Sequence, residues 1–256
     1  MDIYYLNLNE SENRRDFMEL QSEKLKKKFI RIPGVNGTKL KDRCYSHLTA
    51  IRSGLTIENC RPAYYMNRTN FKTMSMNIDN ILPKVGLYLS TIIALRTAIK
   101  NKSQGCIILE DDAIINSLDI PPIDDADIIY LGGTISGSSY DEEKNIIKID
   151  PDRVKIYGTF GYCIPTLPKM MEILQILLSP YIDGFKGYDK HQDWRSGRVK
   201  LRVQSIDLFF INYFQKYGNC YLLNPLQIEH PLENESTINN KQFDYKKNNL
   251  RFRWEN

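Results

Sequence analysis

Residues 106–115 read CIILEDDAII. Four residues suited to a buried strand, Cys106 to Leu109, run directly into Glu110, Asp111 and Asp112, and the apolar pattern resumes at Ala113. Adjacent carboxylates repel one another and resist desolvation, so such a triplet is relieved by solvent, by basic neighbours or by a bound cation. A hard divalent ion suits it well. Mg²⁺ or Mn²⁺ held through one or two carboxylates fills its remaining positions with water and substrate phosphates, and offsets charge on a departing diphosphate. The pattern therefore suggests metal-assisted chemistry on a nucleotide. Against it stands the plainer reading of a solvated loop start or a helix N-cap.

The elements that must position the triplet are legible from periodicity. IYYLNL (3–8) reads as a buried strand, and 11–28 as a helix opening at Ser11 with Phe17, Leu20 and Leu25 near one face. FIRI (29–32) is a second strand, closed by the turn signal PGVNG. Residues 41–80 lack periodicity and read as a long surface segment. An amphipathic helix follows over 84–102, with Leu87, Ile92, Leu95 and Ile99 along one stripe. Beyond the triplet the pattern gives a strand at 126–133, a polar, hairpin-prone 134–150, a strand at 153–165 and a helix at 167–181. A polar loop (183–200), an apolar helix (205–218) and a last strand (219–225) precede a polar tail. Alternating strands and helices without a second core or a repeat predict a single α/β domain, Rossmann-like, with a mainly parallel central sheet and helices on both faces. Ligands bind such sheets beyond the carboxyl ends of the strands, which is where the triplet falls.

Composition bounds the function without naming it. The chain has 256 residues, 42% hydrophobic and 26% charged, with 35 basic against 31 acidic side chains and a net charge of +4. That excess is small and dispersed, and no recognition motif accompanies it, so nucleic acid is not the expected partner. The five cysteines are scattered without a C-x-x-C pair, which favours a reducing compartment. No signal-peptide pattern and no membrane-spanning run is present, and the chain reads as cytoplasmic.

Several segments, in order, resemble glycosyltransferase family 25, the lipopolysaccharide-type and collagen-type galactosyl- and glucosyltransferases of GT-A fold. They are IYYLNLNESENRR (3–15), GVNG (34–37), GLYLSTIIALRTAI before LEDDA (109–113), GTFGYCI (158–164), SIDLFF (205–210) and NPLQIEH (224–230). One departure is clear: where the family has Ser-His in the helix before the acidic strand, this chain has Ser90-Thr91.

The resemblance implies transfer of a hexose, glucose or galactose, from a UDP-sugar to an acceptor hydroxyl, with inversion and with Mn²⁺ or Mg²⁺ as cofactor. It implies Asp112 as the direct metal ligand, Glu110 nearer the ribose or metal-bound water, and His230 completing the shell, since neutral imidazole is a competent ligand for Mn²⁺. Asp111 would contact the donor sugar or hold the loop. Inverting transfer needs a base for the acceptor proton; Asp207 is the first choice, with Asp193 and Asp189 in the 183–200 loop as second choices. Leu6, Asn7, Leu8, Asn36 and Gly37 would surround base and ribose, and Arg14 or Arg15 and Lys84 would meet the diphosphate. Each has a plain alternative: a dipole-facing helix residue for Asp207, a surface residue for His230, solvated helix residues for the cations. By the same reading residues 1–115 form the nucleotide-sugar half, 116–238 the acceptor half and 239–256 a polar tail. The acceptor is a glycan, a lipid-linked sugar or a protein side chain.

Two rival functions fit the same residues less well. A nucleotidyltransferase would carry a glycine-rich, basic loop after the first strand, and NLNESENRR has no glycine. A non-catalytic nucleotide-sugar or glycan-binding protein of the same fold would have no need of Glu110, Asp112 and Asp207 together.

Overall fold

A computed structural model describes residues 1–40, 78–137, 143–178 and 206–230. Asp193, Asp189 and the 41–77 and 183–200 segments lie outside the described residues. The chain opens with β1 (Asp2–Asn7), α1 (Glu12–Leu25) and β2 (Phe29–Pro33). After a short 3₁₀ turn (Gly37–Leu40) the description resumes at α2 (Ile78–Lys100), which leads into β3 (Cys106–Glu110) and β4 (Ile114–Ile115). Then come β5 (Ile128–Gly137), β6 (Ile146–Lys148), β7 (Val154–Ile164) and α3 (Leu167–Leu178). The last helix, α4, runs from Ile206 to Phe209, continues as a π-helical turn over Phe210–Phe214 and ends at Gln215–Tyr217; β8 (Cys220–Leu223) and β9 (Ile228–Glu229) follow.

Among the described residues seven strands form the main sheet, in the order β2-β1-β3-β7-β5-β8-β6. β1 pairs parallel with both β2 and β3, and β5 parallel with β8, while β7 runs antiparallel between β3 and β5 and β6 antiparallel beside β8. Five of the seven strands thus point one way, the mainly parallel α/β sheet that the sequence predicts. Side chains alternate across it. Tyr4, Leu6 and Ile108 face a core with Leu89, Leu95, Met170 and Phe210 from α2, α3 and α4, and Ile3, Tyr5, Ile107 and Leu109 face Met18 of α1 on the other side. Both faces are covered, which is why β1 and β3 read as continuous apolar runs rather than alternating ones.

The buried face of α1 differs from the expected one. Leu20 is 63% exposed and Phe17 lies at the surface, whereas Met18 and Gln21, three positions apart, are buried. A polar side chain occupies the core-facing position because it has fixed partners there. The Gln21 amide donates to the Ala113 carbonyl at 2.9 Å and accepts from the Ile115 amide at 2.8 Å. A hydropathy stripe cannot reveal a buried glutamine whose partners lie far away in sequence.

Two close approaches shape the region around the triplet. A Cβ on Gly86 of α2 would meet the Gly37 amide nitrogen at 2.7 Å, so only glycine lets the helix reach the Val35–Gly37 turn; Ser90, one helical turn on, accepts from the Val35 amide at 2.8 Å. Gly132 and Gly161 pair across β5 and β7, and a Cβ on Gly132 would meet the Ile228 carbonyl at 2.5 Å while one on Gly161 would strike the Ile228 side chain. These two glycines let β9 cross the sheet. There it pairs antiparallel with β4, Ile115 opposite Ile228 and Ile114 opposite Glu229.

Candidate active site

The site is built where β3 ends. Glu110 is the last strand residue, and the following turn is closed by the Ala113 amide donating to the Glu110 carbonyl at 3.3 Å. Gln21 fastens the far side of that turn. Asp111 and Asp112 are both buried, and each is met by a side chain from another element. The Asn7 amide, at the end of β1, donates to Asp111 Oδ2 at 2.8 Å and to the Ser11 carbonyl at 3.0 Å, and its oxygen accepts from Arg31 Nε at 2.8 Å. Arg14, in the first turns of α1, places Nη1 3.0 Å from Asp111 Oδ1 and 3.0 Å from Asp112 Oδ2. Thr159 of β7 donates to Glu110 Oε1 at 2.8 Å. His230, delivered by β9, sets Nε2 3.4 Å from Asp112 Oδ2, and its ring packs on Phe160 with centroids 4.4 Å apart.

The three carboxyls are not equivalent. Burial, reinforced by the charge of Asp112, pushes Glu110 up to about 7 despite the Thr159 hydrogen bond. Burial also raises Asp111, against the opposing pull of Asn7 and Arg14. Asp112 is buried as well, but the hydrogen bond and charge of His230 together with Arg14 outweigh burial and leave it below the ordinary carboxylate range. Arg14 moves the other way: burial works against its charge, yet Asp112 and Asp111 hold the guanidinium above its usual value. Asp112 is therefore the carboxylate most firmly ionised by its surroundings, and its Oδ1 is buried with no hydrogen-bond partner. A buried ionised oxygen left unpaired is costly unless something positive completes it.

The donor set of Glu110, Asp112 and His230 suits Mn²⁺ or Mg²⁺ in chemical type, and the orphaned Asp112 oxygen gives such an ion a place to bind. Among the described residues, however, no three His, Cys, Asp or Glu side chains stand together as a ready-made metal cluster. A guanidinium stands at the two aspartates instead.

The other expected residues distribute unevenly. Arg14 reaches the triplet, whereas Arg15, partly buried, turns to Asp16 and Glu19, so only one of the pair meets the carboxylates. Leu6 is buried in the core, paired with Glu110 in register. Leu8 follows β1 and is partly buried. Asn36 donates to Glu10, and Gly37 opens the 3₁₀ turn beside it. Glu10 to Arg14 in turn line an open depression of about 470 Å³. Lys84 lies in the early part of α2, and Asp207 in the first turn of α4. Thr159, Phe160 and Gln21 were not among the expected site residues. Thr159 and Phe160 lie inside GTFGY, but only the folded pairing of β7 beside β3, with Gly161 opposite Leu109, and the Thr159 hydrogen bond show which of its residues meets Glu110.

Residues 1–149 match the family model described as glycosyltransferase family 25 (LPS biosynthesis protein), more than half of the chain. The chain belongs to glycosyltransferase family 25. No individually curated protein matches it. As a family 25 glycosyltransferase it works between a sugar donor and an acceptor. The matched span holds Asn7, Arg14 and the whole triplet, while Thr159, Asp207 and His230 lie beyond it; of these, Thr159 and His230 reach the triplet, through Glu110 and Asp112. Among the described residues no helix is long and apolar enough to cross a membrane.

Proposed function

We propose that this glycosyltransferase moves a hexose, glucose or galactose, from a UDP-sugar to an acceptor hydroxyl with inversion, assisted by Mn²⁺ or Mg²⁺ at Asp112, Glu110 and His230. The observation that carries the proposal is the buried, ionised Asp112 with its orphaned Oδ1, beside His230 at the carboxyl end of β3. The bound ion would supply a positive charge against which the diphosphate leaves. Asn7 and Thr159 fix the flanking carboxyls, Asp111 and Glu110, so that Asp112 is presented in one orientation. The depression along Glu10 to Arg14 would take the nucleotide, with Asn36 and Gly37 at its rim, Leu6 and Leu8 as backing, and Lys84 towards the diphosphate.

Asp207 is assigned the role of base towards the acceptor hydroxyl, with Asp193 as the second choice. Residues 1–115 would then serve the donor, 116–238 the acceptor, which is a glycan, a lipid-linked sugar or a protein side chain. The enzyme is taken to be cytosolic, a reading supported by the buried free thiols of Cys106, Cys163 and Cys220. Calorimetric titration of UDP in Mn²⁺ and again in chelator tests the donor half. Metal-dependent binding is expected, followed by turnover of UDP-glucose or UDP-galactose; absence of UDP binding in both conditions would overturn the reading.

A further inference from the structure

One nitrogen of Arg14 contacts two carboxylates at once, 3.0 Å from Asp111 and 3.0 Å from Asp112. Arginine keeps its proton in proteins, so this charge cannot be titrated away to make room for another cation. A divalent ion drawn to Asp112 therefore meets a carboxylate that already holds a cation. The two sides of the contact differ in exposure: the Arg14 side chain is 23% exposed on a long stem beside an open depression, while those of Asp111 and Asp112 are 11% and 7% exposed, with Asp111 held by Asn7. The arginine is the partner that solvent and an arriving ion can reach. Asp112 Oδ1, meanwhile, is buried without a partner, so the guanidinium satisfies only part of this carboxylate.

We propose that Arg14 is an exchangeable internal counter-cation: it holds Asp111 and Asp112 together when no metal is bound and competes directly with the divalent ion for Asp112. The inference rests on Asp112 being the metal ligand proposed above. It makes Arg14 a positioning residue that sets how tightly the protein holds its metal before nucleotide arrives. The competition follows from electrostatics: two cations on one carboxylate repel, and removing the fixed one strengthens the hold on the other.

The test uses the full chain without nucleotide and with Mn²⁺ as the only probe, free ion being read by electron paramagnetic resonance. Arg14→Gln is expected to bind Mn²⁺ about tenfold more tightly than wild type, Arg14→Lys to stay near wild type, and Asp112→Asn to lose binding in either background. Thermal midpoints supply the second measurement. In chelator Arg14→Gln should melt below wild type, because two buried carboxylates lose their counter-charge, and Mn²⁺ should close most of that gap. A residue that merely braces the fold would leave the same gap with and without metal, and that result overturns the proposal. So does Mn²⁺ affinity that is unchanged or weakened in Arg14→Gln. Wild-type binding that depends on Asp112 combined with either of those results retires the role of Arg14 alone. Absence of Mn²⁺ binding in every variant retires the metal reading with it.

Discussion

Two buried glutamines and one buried aspartate show how differently the molecule treats polar groups in its frame and at its site. Gln215, in α4, donates to the Ile156 carbonyl at 2.8 Å and the Tyr130 hydroxyl at 2.9 Å, and accepts from the Ile156 amide at 3.1 Å. Gln21 bridges Ala113 and Ile115 in the same manner. Each amide has partners for both its oxygen and its nitrogen, which is the condition under which a buried polar side chain stabilises a fold. Asp112 is equally buried but incomplete, holding Arg14 and His230 on one oxygen and nothing on the other. Closed networks hold the frame, and the open one is where the proposed function puts the metal.

The largest effect should come from the open end. Asp112→Asn is expected to lower sugar transfer by about 10²–10³-fold, roughly 3–4 kcal/mol, while a thermal melt shows the fold retained. A transfer rate within threefold of wild type would remove Asp112 from the mechanism. Breaking the closed network should do the reverse. Gln215→Leu orphans the Ile156 amide and is expected to cost about 2–3 kcal/mol in denaturant unfolding, with transfer per folded molecule unchanged.

Glu110 tests the boundary between the two regions through pH. Its proton is held more tightly in the folded metal-free protein, with a value of about 7, than in the unfolded chain near 4.5. Between those values the folded state binds more protons, so the stabilising contribution is present below about pH 4.5 and is lost as pH rises through about 7. Glu110→Gln, measured in chelator, should therefore gain stability relative to wild type as pH rises across that window, by about 1–3 kcal/mol. A difference that is flat with pH would contradict the shift. The smallest effect is expected from Gln21→Leu, at about 1–2 kcal/mol, because Gln21 is 8% exposed against 1% for Gln215 and water reaches its partners more readily. A modest fall in transfer should accompany it, since Gln21 braces the turn that carries Asp112.

The frame was largely legible in the sequence, and the physical reason is periodicity. β1 and β3 are covered on both faces and so appear as apolar runs, β7 shows as an alternating segment, and α2 and α3 carry plain apolar stripes. The triplet was legible because charge following a buried strand is locally anomalous. What periodicity could not supply was pairing across distance. The antiparallel insertion of β7, the choice of Arg14 over Arg15 and the meeting of Thr159 with Glu110 are all long-range contacts. The inward turn of Gln21 escaped for the same reason: a glutamine among exposed neighbours carries no signal until Ala113 and Ile115 are beside it. The roles of Asp207 and His230 came from chain order within the family resemblance, and the structure adds contacts for His230 in particular, through Asp112 and Phe160.

The crossing of β9 over Gly132 and Gly161 has a consequence for synthesis of the chain. Asn116 and Glu229, which touch across the β4–β9 pair, are 113 positions apart, so the imidazole reaches the carboxylates only after nearly the whole described domain has been made. On the ribosome, Asp111 and Asp112 emerge with Arg14 already synthesised and His230 still to come. A nascent or truncated chain ending before Ile228 would carry the acidic triplet and its arginine but not the histidine.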